Sequence, residues 1–238
     1  MKIVVFDLDD TLYEEITYVH SGFYAVAMYL LERFDLPTDE SMKIMLSVLK
    51  SKGRGQIFDS LLSHYGKYSK ANVKECLSVY RSHDPQIHLY EDSVKCLEQF
   101  QKMGTPLYIV TDGNKWVQYR KLQALGLYDH PAIRKCYISR RFGIKNEKPS
   151  PYCFMQICAK ENVKPSDVVY IGDNPHKDFV GIKPLGFKTV RILRGGFADI
   201  QKSAEFEADI TIKTLDELWK KEITHAIPNR QPLGWQKS

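Results

Sequence analysis

The chain has 238 residues, enough for one or two domains with a substantial buried core. Its formal charge of +5 is mildly basic, but the lysines and arginines are dispersed rather than gathered in a stripe, so we expect no nucleic-acid partner. No apolar run approaches the roughly 18 residues of a membrane span, no signal peptide is recognisable, and the five cysteines include no CxxC pair, which together predict a cytoplasmic protein with reduced thiols and no membrane association.

The first predicted element is a short strand over residues 3–6, followed at once by three carboxylates within residues 7–10. In open α/β sheets, ligands bind at the carboxyl ends of the strands. Carboxylates crowded there repel one another, so solvent, a cation or a reaction that uses the charge must compensate them. A helix cap or a turn is the simpler alternative for one such residue. An EF-hand loop is excluded, because Leu12 and Tyr18 stand where that loop has Gly and Glu.

A helical region follows and predicts an inserted bundle. Apolar residues recur at helical spacing, Pro37 ends the first helix, and the segment Gly53-Arg54-Gly55 separates the second from the third. The helical pattern starts after Leu12; its first helix carries an apolar stripe over residues 23–34, and the next three helices are expected at about 38–50, 56–65 and 70–82. We therefore predict a separate helical domain over residues 14–85.

The second half of the chain alternates predicted strands with helical stretches. The strands are expected at residues 107–110, 135–139, 168–171, 187–192 and 209–212. This alternation predicts an α/β fold, in which a Rossmann-like parallel sheet is flanked by helices on both faces. Residues 1–13 and 86–227 are assigned to this core domain, and residues 228–238, which contain two prolines, to a C-terminal tail.

Three later segments carry polar residues at a strand end or a helix start. The strand at 107–110 ends in Thr111-Asp112-Gly113-Asn114, and the strand at 168–171 ends in a segment that contains Asp173 and Asp178. Lys148 lies in the sequence Lys-Pro-Ser-Pro before a predicted helix. Each segment alone has an ordinary structural explanation, such as a solvated lysine or a capping aspartate. Their occurrence together, in this order, indicates one site.

These segments resemble the four motifs of the haloacid dehalogenase (HAD) superfamily. FDLDDTL resembles DxDxT, Thr111 ends the second motif, Lys148 in KPSP is similar to the third, and GDNPHKD resembles GDxxxxD. The predicted helical domain occupies the position of the C1 cap of subfamily I. Gln118 and Lys121, after the Thr111 turn, resemble the phosphatase branch that contains nucleotidases and acylneuraminate phosphatases.

The resemblance implies a nucleophile and a Mg²⁺ site. Asp7 is similar to the family's nucleophile, which attacks phosphorus and forms an aspartyl-phosphate. Asp9 is similar to the general acid and base, and its backbone carbonyl would join Asp7 and Asp173 as metal ligands. Mg²⁺ would cancel the repulsion between these carboxylates and a phosphate dianion. Thr11 would steady the loop that carries them.

The resemblance also assigns the groups around the phosphoryl group. Thr111, Lys148 and the backbone N–H groups at Asp112 and Gly113 would bind the substrate through its phosphoryl oxygens. Asp178 would hold the waters of the metal or position Lys148.

These assignments predict a Mg²⁺-dependent phosphomonoesterase that acts on a small phosphorylated metabolite, a sugar phosphate or a nucleotide. Dehalogenation is disfavoured, because a departing halide needs no proton and Asp9 is present. A phosphomutase shares all four motifs and stays open as the alternative. A phospho-accepting regulator has similar chemistry, but a helical insertion of roughly 70 residues has no purpose in such a domain. We expect a monomer or a homodimer.

Substrate choice is expected to depend on the helical domain. Arg54 lies between two glycines in the segment Lys52–Gly55, and a guanidinium binds carboxylate or phosphate in a bidentate manner. We therefore predict that Arg54 binds the substrate. An ordinary connection with solvated charges is the alternative.

Overall fold

The computed structural model describes residues 3–220, so the predicted tail at 228–238 lies outside the described residues. Contacts divide the chain into two compact units. The sheet unit contains the residues up to Glu15 and those from His88 onward, and the helical unit is Ile16–Ile87. Within residues 3–220, no helix combines the length and the apolar character needed to cross a bilayer.

The sheet unit is built on six strands that pair in parallel: β1 (Ile3–Phe6), β2 (Leu107–Thr111), β3 (Ile133–Ile138), β4 (Val168–Gly172), β5 (Lys188–Ile192) and β6 (Ile210–Ile212). Their order is β3-β2-β1-β4-β5-β6, so the first strand of the chain lies inside the sheet. Strands buried on both faces are apolar along their whole length rather than alternating. Accordingly, β1, β2 and β4 are buried at every position.

The strand register brings three strand ends together. Phe6 in β1 lies opposite Ile109 in β2 and Ile171 in β4. The chain runs from β1 to β2 and β3 on one side, and returns to β4 on the other, so the strand order reverses at β1. Such a switch point is where ligands bind in open α/β sheets. The predicted α/β fold with a parallel sheet is confirmed.

The helical unit is formed by α1 (Glu15–Phe34, whose first residue belongs to the sheet unit), α2 (Thr38–Lys52), α3 (Ile57–His64) and α4 (Lys70–Ser82). The apolar faces of these helices share one buried core, which includes Phe23, Leu30, Met45 and Leu61. Gly53 has a φ of +71°, a conformation that favours glycine, and it ends α2. The connection after α2 is shorter than expected, because Lys52 belongs to the helix and Arg54–Gln56 form a 3₁₀ turn.

Helices α5 (Glu91–Lys102), α6 (Lys115–Ala124) and α7 (Tyr152–Glu161) complete the sheet unit. Successive side chains of a strand point to opposite faces. In β1, Phe6 lies against Phe100 of α5, with ring centroids 6.3 Å apart. The adjacent Val5 belongs to the core that contains Phe154 of α7. The sheet is therefore covered by helices on both faces, as the sequence predicts.

Candidate active site

Three aspartates form a buried acidic cluster at the carboxyl edge of the sheet. Asp7 directly follows β1, Asp173 directly follows β4, and Asp178 lies a short turn further along the chain. One carboxylate oxygen from each lies within 4.8 Å of the others. The backbone N–H of Asp7 donates to the carbonyl of Ile171 at 2.8 Å, so the pairing of β1 with β4 sets the position of the cluster.

Lys148 lies beside the acidic cluster and is itself buried. Its Nζ is 2.9 Å from Oδ2 of Asp7 and 2.7 Å from Oδ1 of Asp178. It also donates to the hydroxyl of Tyr170 at 2.8 Å, and this hydroxyl donates to Oδ1 of Asp178 at 3.1 Å. Asp178 and Tyr170 thus fix the ammonium next to the first aspartate.

The acidic cluster carries more negative charge than Lys148 balances. Burial raises the pKa of Asp7 to about 7, with Lys148 acting against the shift and Asp178 adding to it. Burial and the charges of Asp178 and Asp7 raise the pKa of Asp173 to about 9. Burial alone would lower the pKa of Lys148, but the carboxylates of Asp178 and Asp7 hold it well above its ordinary value, so the group stays an ammonium. This set of carboxylate oxygens fits a divalent cation such as Mg²⁺, which would supply the positive charge that Lys148 does not.

Two glycines allow the segments around the acidic cluster to approach one another. A Cβ on Gly181 would stand 1.7 Å from the carbonyl oxygen of Pro149, which is next to Lys148. A Cβ on Gly172 would stand 2.6 Å from Oδ2 of Asp178. Because real side chains do not tolerate such distances, glycine at position 181 lets Pro149 approach that segment, and glycine at position 172 lets Asp178 approach the end of β4.

The side chain of Asp9 lies in a second environment, which we call the Asp9 cradle and which consists of Tyr13, Gln118 and Lys121. Oδ1 of Asp9 accepts from the hydroxyl of Tyr13 at 2.5 Å and from Nζ of Lys121 at 2.6 Å. Oδ2 accepts from Nε2 of Gln118 at 2.7 Å. Burial acts to raise the pKa of Asp9, but the Lys121 charge and the hydrogen bonds of the cradle outweigh it and hold that pKa below its ordinary value.

The contacts of the cradle were not predicted from the sequence. In the sequence, Gln118 and Lys121 indicate only a family branch, and Tyr13 is expected either to line the cleft or, as the favoured alternative, to pack at the hinge and the helical domain. A usable signal was present, because Gln118 and Lys121 are polar residues three positions apart on the helix that follows Thr111. Residues at this spacing share one helix face.

Asp112 and Gly113 contact other protein groups. Oδ1 of Asp112 accepts from the hydroxyl of Ser139 at 2.6 Å and from the backbone N–H of Lys148 at 3.2 Å, while Oδ2 accepts from Nζ of Lys177 at 2.9 Å. The N–H of Gly113 donates to Glu147 at 3.0 Å. Asp112 therefore ties the second motif to the third and the fourth, a role that the sequence does not show.

The two remaining predicted residues lie in different units. Thr11 is fully buried in the sheet unit, and its carbonyl accepts from Nη1 of Arg194 at 2.8 Å. Arg54 is exposed on the 3₁₀ turn of the helical unit.

Comparison with known proteins gives consistent matches along most of the chain. A family model described as haloacid dehalogenase-like hydrolase matches residues 1–186. A glyceraldehyde 3-phosphate phosphatase from Methanocaldococcus jannaschii is 32% identical over 225 residues, which cover 92% of this chain and 95% of the relative. A phosphatase of the same name from Methanopyrus kandleri is 31% identical over 229 residues, covering 91% and 96%. The crystal structure of a HAD phosphatase from Thermococcus onnurineus matches with a TM-score of 0.58 at 28% identity, covering 92% and 96%.

Proposed function

We propose that this chain, which belongs to the haloacid dehalogenase-like hydrolase family and is one of its phosphatases, is a Mg²⁺-dependent phosphomonoesterase that hydrolyses a small phosphorylated sugar through an aspartyl-phosphate. The observation that carries the proposal is the Lys148 ammonium, 2.9 Å from Asp7 within a buried acidic cluster at the carboxyl edge of the sheet. The names of the two relatives support an aldose phosphate of the size of glyceraldehyde 3-phosphate as the substrate.

Asp7 is the proposed nucleophile. A carboxylate oxygen attacks phosphorus in line, the bond from phosphorus to the sugar oxygen breaks, and the leaving oxygen takes a proton from Asp9. Water then attacks the phosphorus, gives a proton to Asp9 and releases phosphate and the Asp7 carboxylate. Bound Mg²⁺, held by Asp7, Asp173 and the backbone carbonyl of Asp9, supplies the positive charge that a phosphate dianion needs to approach.

The cradle favours the ionised form of Asp9, which is the form that accepts a proton from water. The first half of the reaction needs the protonated form. A phosphate dianion that enters beside Asp9 raises the pKa of this carboxyl, because a like charge disfavours ionisation. The same residue therefore serves both halves of the reaction.

The remaining polar residues of the site bind the phosphoryl group or position the residues that bind it. The ammonium of Lys148 and the hydroxyl of Thr111 bind its oxygens as charged and neutral donors. Asp178 positions Lys148 through the 2.7 Å ion pair. Lys177, which pairs with Asp112, lowers the pKa of Asp7 and so adds positive potential at the nucleophile.

We assign residues 14–85 the role of a C1 cap that selects the substrate. Arg54 is its proposed contact residue, because a guanidinium forms strong paired hydrogen bonds with oxyanions.

The test is release of inorganic phosphate from a panel of phosphorylated metabolites that includes glyceraldehyde 3-phosphate, glycerol phosphate and nucleoside monophosphates, with Mg²⁺ and with EDTA. We expect repeated turnover with Mg²⁺ and a preference for the short aldose phosphate. A product in which phosphate has moved within the sugar, without release, would identify a phosphomutase instead. A single stable phosphorylation of the protein would identify a regulator.

A further inference from the structure

Helix α6 presents two buried polar side chains to Asp9. Gln118 is 2% exposed and Lys121 is 3% exposed. A buried ion pair stabilises a fold little, or less than apolar residues of the same volume would. Burial of this lysine is therefore poorly explained by stability alone, and its placement 2.6 Å from Asp9 points to a role in the reaction.

The cradle treats the two oxygens of Asp9 differently. Each carboxylate oxygen has two lone-pair directions. Among the contacts within residues 3–220, Oδ1 accepts two hydrogen bonds, from Tyr13 and Lys121, whereas Oδ2 accepts one, from Gln118. The second lone pair of Oδ2, which accepts none of these hydrogen bonds, is the one that can receive or deliver the proton. The cradle thereby selects Oδ2 as the oxygen that reacts.

Gln118 also connects Asp9 with Thr111. Its Nε2 lies 2.7 Å from Oδ2 of Asp9 and 2.6 Å from Oγ1 of Thr111. An ionised carboxylate only accepts, so the amide nitrogen must face Asp9, and its two protons serve the two oxygens. Since the Thr111 oxygen accepts from Gln118, the hydroxyl proton of Thr111 is directed to another acceptor. A phosphoryl oxygen meets that need.

We propose that Gln118 and Lys121 are positioning residues, which hold the Asp9 carboxylate with Oδ2 toward the leaving oxygen and hold the Thr111 hydroxyl as a donor to the phosphoryl group. This proposal rests on the function proposed above, in which Asp9 transfers the proton. It adds a contribution of α6 to the chemical step.

The experiment compares two aryl phosphates whose leaving groups differ in basicity. Phenolate is more basic than 4-nitrophenolate, so phenyl phosphate depends more on proton transfer. We would measure kcat and KM for Gln118→Met, Lys121→Met and Asp9→Asn, and for each α6 variant combined with Asp9→Asn. Gln123→Met, an exposed glutamine on the same helix, is the matched control.

We expect Gln118→Met and Lys121→Met each to lower kcat on phenyl phosphate by about ten- to a hundredfold, a part of the ~10²–10⁴-fold typical of general acid–base catalysis. The loss on 4-nitrophenyl phosphate should be at least about fivefold smaller, and KM should change little. In the Asp9→Asn background, either substitution should add at most about a twofold loss, because residues that act through one another are not additive. Lys121→Arg, which keeps the charge, should recover part of kcat.

Equal losses on both substrates, or full additivity with Asp9→Asn, would overturn the positioning role and leave the phosphatase function intact. An unchanged kcat for Asp9→Asn on phenyl phosphate would instead remove the assignment of Asp9. Absence of turnover by the wild-type protein on every phosphate ester would remove the proposed function itself. If Lys121→Met fails to give a cooperative thermal transition, Gln118→Met and Lys121→Arg decide between these outcomes.

Discussion

The acidic cluster and the Asp9 cradle balance buried carboxylate charge in opposite ways. In the cluster, Lys148 pairs with two of the three carboxylates, and the pKa values of Asp7 and Asp173 rise to about 7 and about 9. In the cradle, one carboxylate faces three donors, and its pKa falls below the ordinary value. The fold therefore balances the charge of Asp9 by itself, whereas the buried carboxylates of the cluster leave negative charge that the proposed Mg²⁺ would balance.

The largest expected effect comes from removing the proposed nucleophile of the acidic cluster. Asp7→Asn should lower kcat by at least about a thousandfold, because a neutral amide is a poor nucleophile and covalent catalysis supplies a large part of the barrier reduction. Phosphate release from the best substrate measures this, and the thermal transition checks that the variant folds. Activity within about tenfold of wild type would contradict the assignment.

Variants of the acidic cluster and of the Asp9 cradle should differ in their dependence on the cation. We expect no turnover in EDTA, recovery with Mg²⁺, and inhibition by Ca²⁺, which accepts bidentate carboxylates and higher coordination numbers. Asp173→Ala should raise the Mg²⁺ concentration for half-maximal activity by at least about tenfold. Gln118→Met, a cradle variant, is the control and should leave the Mg²⁺ titration unchanged. An unaltered titration in Asp173→Ala would exclude Asp173 from the metal site.

The third prediction concerns the helical unit, which, unlike the acidic cluster and the Asp9 cradle, should affect substrate preference rather than the chemical step. Arg54→Ala should reduce kcat/KM for the sugar phosphate by about 1–3 kcal/mol, the range for a hydrogen bond to a charged group. A small aryl phosphate should show a much smaller loss. Lys43→Ala, at an exposed cation on α2, is the control. Equal losses on both substrates would place the role of Arg54 in folding or in the common phosphate site, and no loss on either would favour a solvated connection.

The smallest expected effect is on stability without metal. The pKa values of Asp7 and Asp173 in the folded chain, about 7 and about 9, lie above the ordinary value of 3.8, so the native state binds protons more tightly than the unfolded chain. This contribution is complete below about pH 4 and is lost as the pH rises through about 7 and about 9. In EDTA, Tm should therefore fall between about pH 6 and about pH 9, and Mg²⁺ should restore it.

Asp173→Asn tests whether the acidic cluster causes this fall of Tm with rising pH. Because an amide does not titrate in this range, Tm in EDTA should depend less on pH than in the wild-type protein. Parallel curves for the two proteins would show that the cluster does not cause the loss.

The sequence predicted the inner strands β1, β2 and β4 because each is a short apolar run followed by polar residues, and this pattern is local. It also brought Asp7 and Asp173 to one edge, since parallel strands end together, whereas Lys148, which precedes α7, was linked to them only through the motif resemblance. The partners of Asp9 were not predictable in the same way. Contact between Asp9 and Lys121 joins residues more than a hundred positions apart, and depends on which face of α6 is buried. The start of β3 at Ile133, rather than at residue 135, likewise depends on pairing with Leu107.

The inner position of β1 sets the order in which a newly made chain can assemble. β1 is synthesised before both of its neighbours in the sheet, which are β2, beginning at Leu107, and β4, beginning at Val168. Contacts that close such long stretches of chain form slowly. The helical unit is contained within Ile16–Ile87, so its own contacts are available long before. During synthesis, β1 therefore stays unpaired until β2 and β4 have been made.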